Sequence, residues 1–280
     1  MAELKKENPR GILNPNTGKE KFKLVRYLPS EEIAFFVEHF WIVEWDLCGN
    51  DPFVSETLPH PCVHIVFEKE QSYVIGVTKG KFSRTLVDKG IVFGIKFKPG
   101  GFFPFVKKPV SLFTDRLIDL RNIFGNSSVL IEKTILGLGL HKEMTACAEK
   151  FLHKILPEHD ENVVMINKIA ERIIADRKII RVDDLVDLFK LNKRQLQRLF
   201  NEYVGISPKW MIKRYRLHEA AERLAVSPKT DMTKLAIDLG YYDQAHFIKD
   251  FKSIVGKPPE QYAKQNTKNS EKIGNNFKKG

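Results

Sequence analysis

Five polar side chains crowd into nine residues: Lys193, Arg194, Gln197, Arg198 and Asn201. At helical spacing they share one face, opposite Leu196, Leu199 and Phe200. A guanidinium can fork onto guanine O6 and N7, and a carboxamide can pair with adenine N6 and N7. A second set, Gln244, His246 and Lys249, lies opposite Phe247, Ile248 and Phe251. Lys193, Lys213, Arg214 and Lys252 suit contacts to phosphate, which position a protein on a duplex without reading it. The chemistry on offer is recognition of base edges. A solvated charged face is the plain alternative for either set taken alone.

The elements that must hold these side chains are predicted from their ends. Val163, Ile166, Ile169, Ala170, Ile173 and Ile174 make one apolar stripe, and Asp183 and Asp184 open a second helix. Asn192 caps a third that Gly205 ends, and Ser207-Pro208 starts a long fourth helix running to about Val226. Asp231 caps a fifth that ends at Gly240, Asp243 opens a sixth that stops at Gly256, and Pro259 starts a short seventh with Tyr262. This half also repeats itself. Leu196, Phe200, Gly205, Pro208 and Met211 recur 51 residues later as Phe247, Phe251, Gly256, Pro259 and Tyr262. Each unit is a helix, a tight turn and a second helix with a polar outer face, which is helix-turn-helix geometry. The long helix between them, about 30 Å at 1.5 Å per residue, can hold the two outer faces about one DNA turn apart.

The stretch GYYDQAHFIKDFKSIVGKPPEQY (240–262), preceded by LFKLNKRQLQRLFNEYVGISPKWMIKRYRLHEAAERL, resembles the DNA-binding domain of AraC/XylS transcriptional regulators. The resemblance covers roughly residues 162–264 and implies seven helices with two recognition helices in adjacent major grooves. It implies base contacts from Arg194, Gln197 and Arg198 in the first and from Gln244, His246 and Lys249 in the second. Lys249 stands where the family has arginine, which weakens bidentate reading of guanine there. Pro258 replaces the usual capping Ser or Thr.

The N-terminal half reads differently. HFWIVEW, CVHIVFE, SYVIGV and IVFGIKF are short, rich in β-branched and aromatic residues, and bounded by turn formers. They are expected to form an antiparallel sheet or small barrel, with one early helix that Ser30 can cap. Together with LPHPC and the Pro99-Gly100-Gly101 turn they resemble an uncharacterised β-rich, cupin-like domain found before AraC-type DNA-binding domains. That resemblance implies a sensor and names no ligand. An apolar pocket would draw on Phe40, Trp41, Trp45, Phe67, Phe97, Phe102 and Phe103, unless these rings simply fill the core. His60, Cys62 and His64 alternate along a segment and could converge on a metal, although Pro59 and Pro61 suggest a turn and a fourth ligand is lacking. Redox sensing through Cys62 or Cys147 is the other alternative. Between about 126 and 157 two apolar helical stretches, broken at Gly137 and Gly139, can dimerise or pack on the chain's own sheet.

Charge supports the division. The 280 residues carry a net +11, but residues 1–160 hold 22 basic and 20 acidic side chains, against 24 and 15 in residues 161–280. No apolar run approaches the roughly 20 residues of a membrane span, no secretory signal is expected, and three scattered cysteines suit a reducing cytoplasm. No phosphate loop, nucleophile elbow or zinc-protease pair is present, and three cysteines cannot supply the zinc-and-thiolate set of a DNA-repair methyltransferase. The expected chain is α+β: a β-rich sensor with its N-terminal arm (1–125), a helical linker or dimerisation segment (126–160), an all-α seven-helix domain with two helix-turn-helix units (161–264), and a disordered basic tail (265–280). Its expected role is sequence-specific regulation of transcription on double-stranded DNA, without cofactor, metal or catalytic residue. A small effector, RNA polymerase and a second copy of the chain are the other expected partners, and a non-specific architectural DNA binder is the competing reading.

Overall fold

The computed structural model describes residues 3–4, 21–228 and 230–266. Most of the N-terminal arm and residues 267–280 of the expected tail lie outside them. Strands β1 (Lys23–Tyr27), β2 (Val37–Asp46), β4 (His64–Phe67), β5 (Tyr73–Ile75), β7 (Lys89–Phe97) and β8 (Leu117–Asp119) form one sheet in the order β1-β2-β7-β4-β5-β8. All its pairings are antiparallel. Strands β3 (Phe53–Thr57) and β6 (Phe82–Leu86) pair separately as a ribbon. The four apolar segments singled out in the sequence are β2, β4, β5 and β7. Helix α1 (Glu31–Ala34) precedes β2, but Ser30 makes no side-chain cap; its N–H donates instead to Glu149 Oε1 at 2.6 Å.

Strand alternation gives the sheet two unlike faces. Phe40, Ile42, Ile65, Phe67, Phe93, Ile95 and Phe97 point to one side and are buried. Two short helices, α2 (Phe103–Val106) and α3 (Arg121–Phe124), lead into the helices that cover this face: α4 (Ser127–Gly137) and α5 (His141–Lys154) supply Ile135, Met144, Ala148, Phe151 and Leu152 to the same core. The break between α4 and α5 falls at Gly137–Gly139 as the sequence indicates, and the inner faces of both helices are used up on the sheet.

Among the described residues the C-terminal part is seven helices: α6 (Glu161–Ala175), α7 (Val182–Phe189), α8 (Lys193–Tyr203), α9 (Pro208–Val226), α10 (Met232–Asp238), α11 (Gln244–Val255) and α12, from 259 to 266. Gln265 and Asn266 therefore continue a helix rather than opening a disordered tail. The caps are those the residue types dictate. Asp160 accepts from Asn162 N, Asn192 from Gln195 N, Ser207 from Trp210 N, Asp231 from Thr233 N and Lys234 N, and Asp243 from His246 N. Helices α6 to α8 and the start of α9 enclose one core around Ile166, Leu196 and Phe200, and α9 to α12 enclose a second around Leu224, Phe247 and Phe251.

The two halves interlock. Val77 enters the first helical core and Leu58 the second, and Phe103 packs against Tyr203 with ring centroids 4.1 Å apart. Gly205, which ends α8 at φ +86°, lies so close to the 3-10 turn Val110–Leu112 that an added Cβ would meet Val110 O and Thr114 Oγ1 at 2.8 Å. Thr114 Oγ1 donates to Gly205 O at 2.6 Å. Its repeat equivalent Gly256 ends α11, also at φ +86°, and faces the Lys81 side chain. Gly205→Ala is therefore expected to cost clearly more than the roughly 1 kcal/mol of a left-handed backbone penalty. Gly49→Ala, at φ +76° with nothing within 4 Å of its Cβ, is expected to cost that penalty alone. Urea unfolding of the two variants measures the difference.

Candidate DNA-reading helices and effector cavity

Helix α8 packs inward through Leu196, Phe200 and Tyr203 and leaves Lys193, Arg194, Gln197, Arg198 and Asn201 exposed. Lys193 Nζ is shared with Asp183 Oδ1 at 2.9 Å. On α11, Phe247, Phe251, Ile254 and Val255 are buried while His246 and Lys249 are exposed. Gln244 is half-buried and accepts from Thr233 Oγ1 at 3.2 Å. His246 is turned along its own helix, with Nε2 3.4 Å from Asp250 Oδ2 and its ring edge-on to Tyr241. All eight predicted residues thus sit on the second helix of a helix-turn-helix unit, seven of them openly exposed. Lys252 is exposed as well.

Two residues read as phosphate contacts are placed otherwise. Lys213 pairs with the buried Asp250. Arg214 is 2% exposed and faces the β domain. Its Nε donates to Pro59 O at 2.5 Å, and its Nη2 lies 3.1 Å from His60 Nδ1 and 3.3 Å from His218 Nδ1. A contact reaching back some 150 residues leaves no signal in the local pattern of α9, so its basic side chain looked like a surface residue.

The second face of the sheet borders a cavity of about 790 Å³. The ribbon β3–β6 forms another wall, and α6 and α9 complete it, so the cavity lies between the two halves. Of the seven aromatics considered for a pocket, Trp41 and Trp45 line it. Phe40, Phe67, Phe97 and Phe102 are in the core, and Phe103 is half-buried at the junction beside Tyr203. Neighbouring residues on a strand face opposite ways, so Phe40 and Trp41 could not share a pocket.

Gly94 and Gly90 are the register partners of Trp41 and Trp45. A Cβ on Gly94 would lie 2.0 Å from Trp41 Cε2, and one on Gly90 2.2 Å from Trp45 Cζ2. Each indole is therefore laid flat across a glycine and forms the floor of the cavity. Their edges are tied down as well: Trp45 Nε1 donates to Val87 O at 2.9 Å and Trp41 Nε1 to His64 Nδ1 at 3.1 Å.

His60, Cys62 and His64 all border this cavity, yet they serve different partners, His60 the Arg214 guanidinium and His64 the Trp41 indole. Among the described residues no group of three His, Cys, Asp or Glu is placed to hold a metal ion. Burial, then Lys96 and Arg214, hold His60 far below the usual histidine range. Burial, then Lys96 and His39, push His64 down to about 3. Burial drives the Cys62 thiol up to about 12. Lys96 Nζ is paired with Glu38 Oε2 at 2.9 Å. Burial opposes the Glu38 charge, but hydrogen bonds from His39 and Lys96 outweigh it and keep the carboxyl ionised.

Residues 185–265 match the family described as a helix-turn-helix domain. They form an AraC-type helix-turn-helix domain. Residues 25–119 match a family described as a domain of unknown function (DUF6597). The chain is 31% identical over 83 residues to an uncharacterised HTH-type transcriptional regulator of Haemophilus influenzae, a match covering 30% of this chain and 28% of that protein. It is 31% identical over 84 residues to the HTH-type transcriptional regulator MtrA of Neisseria gonorrhoeae, again 30% and 28%. The chain thus spans little more than a quarter of the curated relatives it matches. ToxT of Vibrio cholerae aligns over 87% of this chain and 98% of its own at 14% identity and a TM-score of 0.37, too loose a superposition to equate the two folds.

Two outcomes follow for the cavity wall. Iodoacetamide at pH 8 is expected to modify exposed Cys48 while Cys62 resists until the chain is unfolded, since a thiol at about 12 is thiolate in only about one molecule in 10⁴ at that pH; mass spectrometry of the peptides checks it. His60 and His64 bind a proton in the unfolded chain near pH 6.5 but resist it when folded. Stability is then fully present above that pH and falls as pH drops, by about 1.4 kcal/mol per unit for each histidine. The doubly substituted His60→Gln, His64→Gln chain is expected to lose that part of the slope in urea titrations between about pH 6 and 4.

Proposed function

We propose that the protein is a sequence-specific transcriptional regulator that places α8 and α11 in successive major grooves of double-stranded DNA and receives a small effector in the cavity between its halves. The observation that carries this reading is the repeated presentation of exposed polar residues from the second helix of each unit of an AraC-type domain. In it Arg194 and Arg198 read guanine, Gln197 and Gln244 read adenine, and Lys193, Asn201, His246 and Lys249 complete the two faces, with Lys252 on phosphate.

The position of the cavity supports the sensing half of the reading. Its walls come from the sheet, the ribbon, α6 and α9, so an occupant touches both the sensor and the helix that joins the two DNA-reading units. An effector changes DNA binding to the extent that it prefers one arrangement of these parts. The protein acts in this reading by binding, in the cytoplasm beside RNA polymerase, and without catalysis. No helix among the described residues is long and apolar enough to cross a membrane. A homodimer formed through the α4–α5 layer would use outward positions such as Leu130 and Leu140, both exposed.

Selection of bound sequences from a random DNA pool by the full-length chain is expected to yield a paired motif about one helical turn apart. An unenriched pool with strongly salt-dependent binding would favour the architectural alternative. On the selected site Arg198→Ala is expected to lower affinity about 10- to 100-fold while leaving affinity for random DNA within about threefold, as measured by gel shift. Equal losses on both would make Arg198 a backbone contact.

A further inference from the structure

Arg214 carries its charge into a buried junction where, among the described residues, no carboxylate is bonded to it. Its contacts are the carbonyl of Pro59, two histidine nitrogens and the face of Tyr215, 4.7 Å from the guanidinium carbon. No carboxylate among the described residues pairs with it. Glu222 and Glu38 act on it through space without bonding to it, and Glu222 Oε1 lies 3.1 Å from His218 Nε2. The Arg214 guanidinium has only donors to offer, so the Nδ1 atoms of His60 and His218 can bond to it only as acceptors. Four other cations on this cavity have carboxylate partners: Lys96 has Glu38, Arg84 has Glu68, and Arg177 and Arg216 share Glu219. A buried charge without a counter-charge is costly, and a fold tolerates it where a partner arrives from outside.

The body of the cavity has a different character. Its floor is two indoles laid flat on glycines, with their polar edges already bonded. Flat aromatic faces with nothing left to donate favour a planar apolar ligand.

We propose that the effector is an organic acid with a flat, unsaturated or aromatic body, its carboxylate bound by Arg214 and its body lying over Trp41 and Trp45. This rests on the reading of the cavity as the effector site and adds the ligand's chemical class and its anchor. Arg214 belongs to α9 and the indoles to β2, so the acid joins the DNA-reading domain to the sensor sheet. Binding neutralises the charge that the empty junction leaves exposed to its own desolvation.

The test uses the full-length chain with indole-3-acetate and benzoate as probes, and their uncharged amides as controls, by calorimetry and thermal unfolding. The acids are expected to bind roughly tenfold or more tighter than the amides, to raise Tm, and to quench tryptophan emission. Arg214→Gln keeps a donor for Pro59 O and removes the charge. It is expected to leave the ligand-free Tm unchanged or higher and to bring acid and amide to equal affinity. Equal affinity of acid and amide for the unaltered chain, no binding of either acid up to about 10 mM, or acid binding unchanged in Arg214→Gln would each overturn the proposal. A gel shift of the same preparations without probe separates the two readings: intact site-specific DNA binding with no preference for acids removes only this inference, and absent DNA binding removes the regulatory function whatever the probes do.

Discussion

Nineteen residues of α9 have to satisfy three surfaces at once, and much of the molecule follows from that constraint. Met211 and Ile212 close the first helical core, and Leu217, Ala221 and Leu224 the second. Arg214 meets the β domain at Pro59 and His60. A helix with one buried stripe can stay polar elsewhere, but one buried on several sides has to take charged groups inside. Arg216 shows how that is managed: its Nη2 faces the carbonyls of Ile173, Asp176 and Ile179 and its Nη1 lies 3.5 Å from Glu219 Oε2. These bonds lock α9 to the end of α6 and so fix the first unit against the connector. Arg214 differs in that its close contacts among the described residues are a carbonyl and two histidine nitrogens, with no carboxylate.

The β domain is the reverse case, an element whose two faces are given separate tasks. Phe93, Ile95 and Phe97 of β7 seal the core under α4 and α5, while Val92 and Lys96 line the cavity and Gly94 lies beneath the Trp41 ring. The same strand is therefore rigid on one side and chemically specific on the other, which suits a sensor whose ligand must not loosen its scaffold. Trp41 over Gly94 and Trp45 over Gly90 extend that logic, since the glycines let large rings lie down where ordinary side chains would hold them upright.

Helical caps are local, and for that reason Asn192, Ser207, Asp231 and Asp243 disclosed the architecture of the C-terminal half from residue types alone. The apolar strands were legible for the same reason. Strands β1, β3, β6 and β8 were not, because runs such as Phe82–Leu86 mix charged and apolar residues and become strands only through their partners. The polar faces of α8 and α11 were readable from helical spacing, whereas the cavity was not. Alternation shows that Phe40 and Trp41 face opposite ways but cannot say which way is the cavity. Lys213 and Arg214 took inward places through contacts with residues 37 and 155 positions away, and basic residues on a helix carry no mark of that.

Gly205 and Gly256 occupy the same position in two copies of one unit, and the β domain touches both, through Val110 and Thr114 at the first and Lys81 at the second. The β domain is therefore placed like a caliper whose jaws rest on the ends of α8 and α11. In the regulatory reading, the base-pair interval the protein accepts is set at this seam, by residues that never touch a base. Point changes along the seam would then alter which spacing of half-sites is tolerated while leaving the preferred bases alone, so that spacing and sequence preference could diverge independently among relatives of this chain.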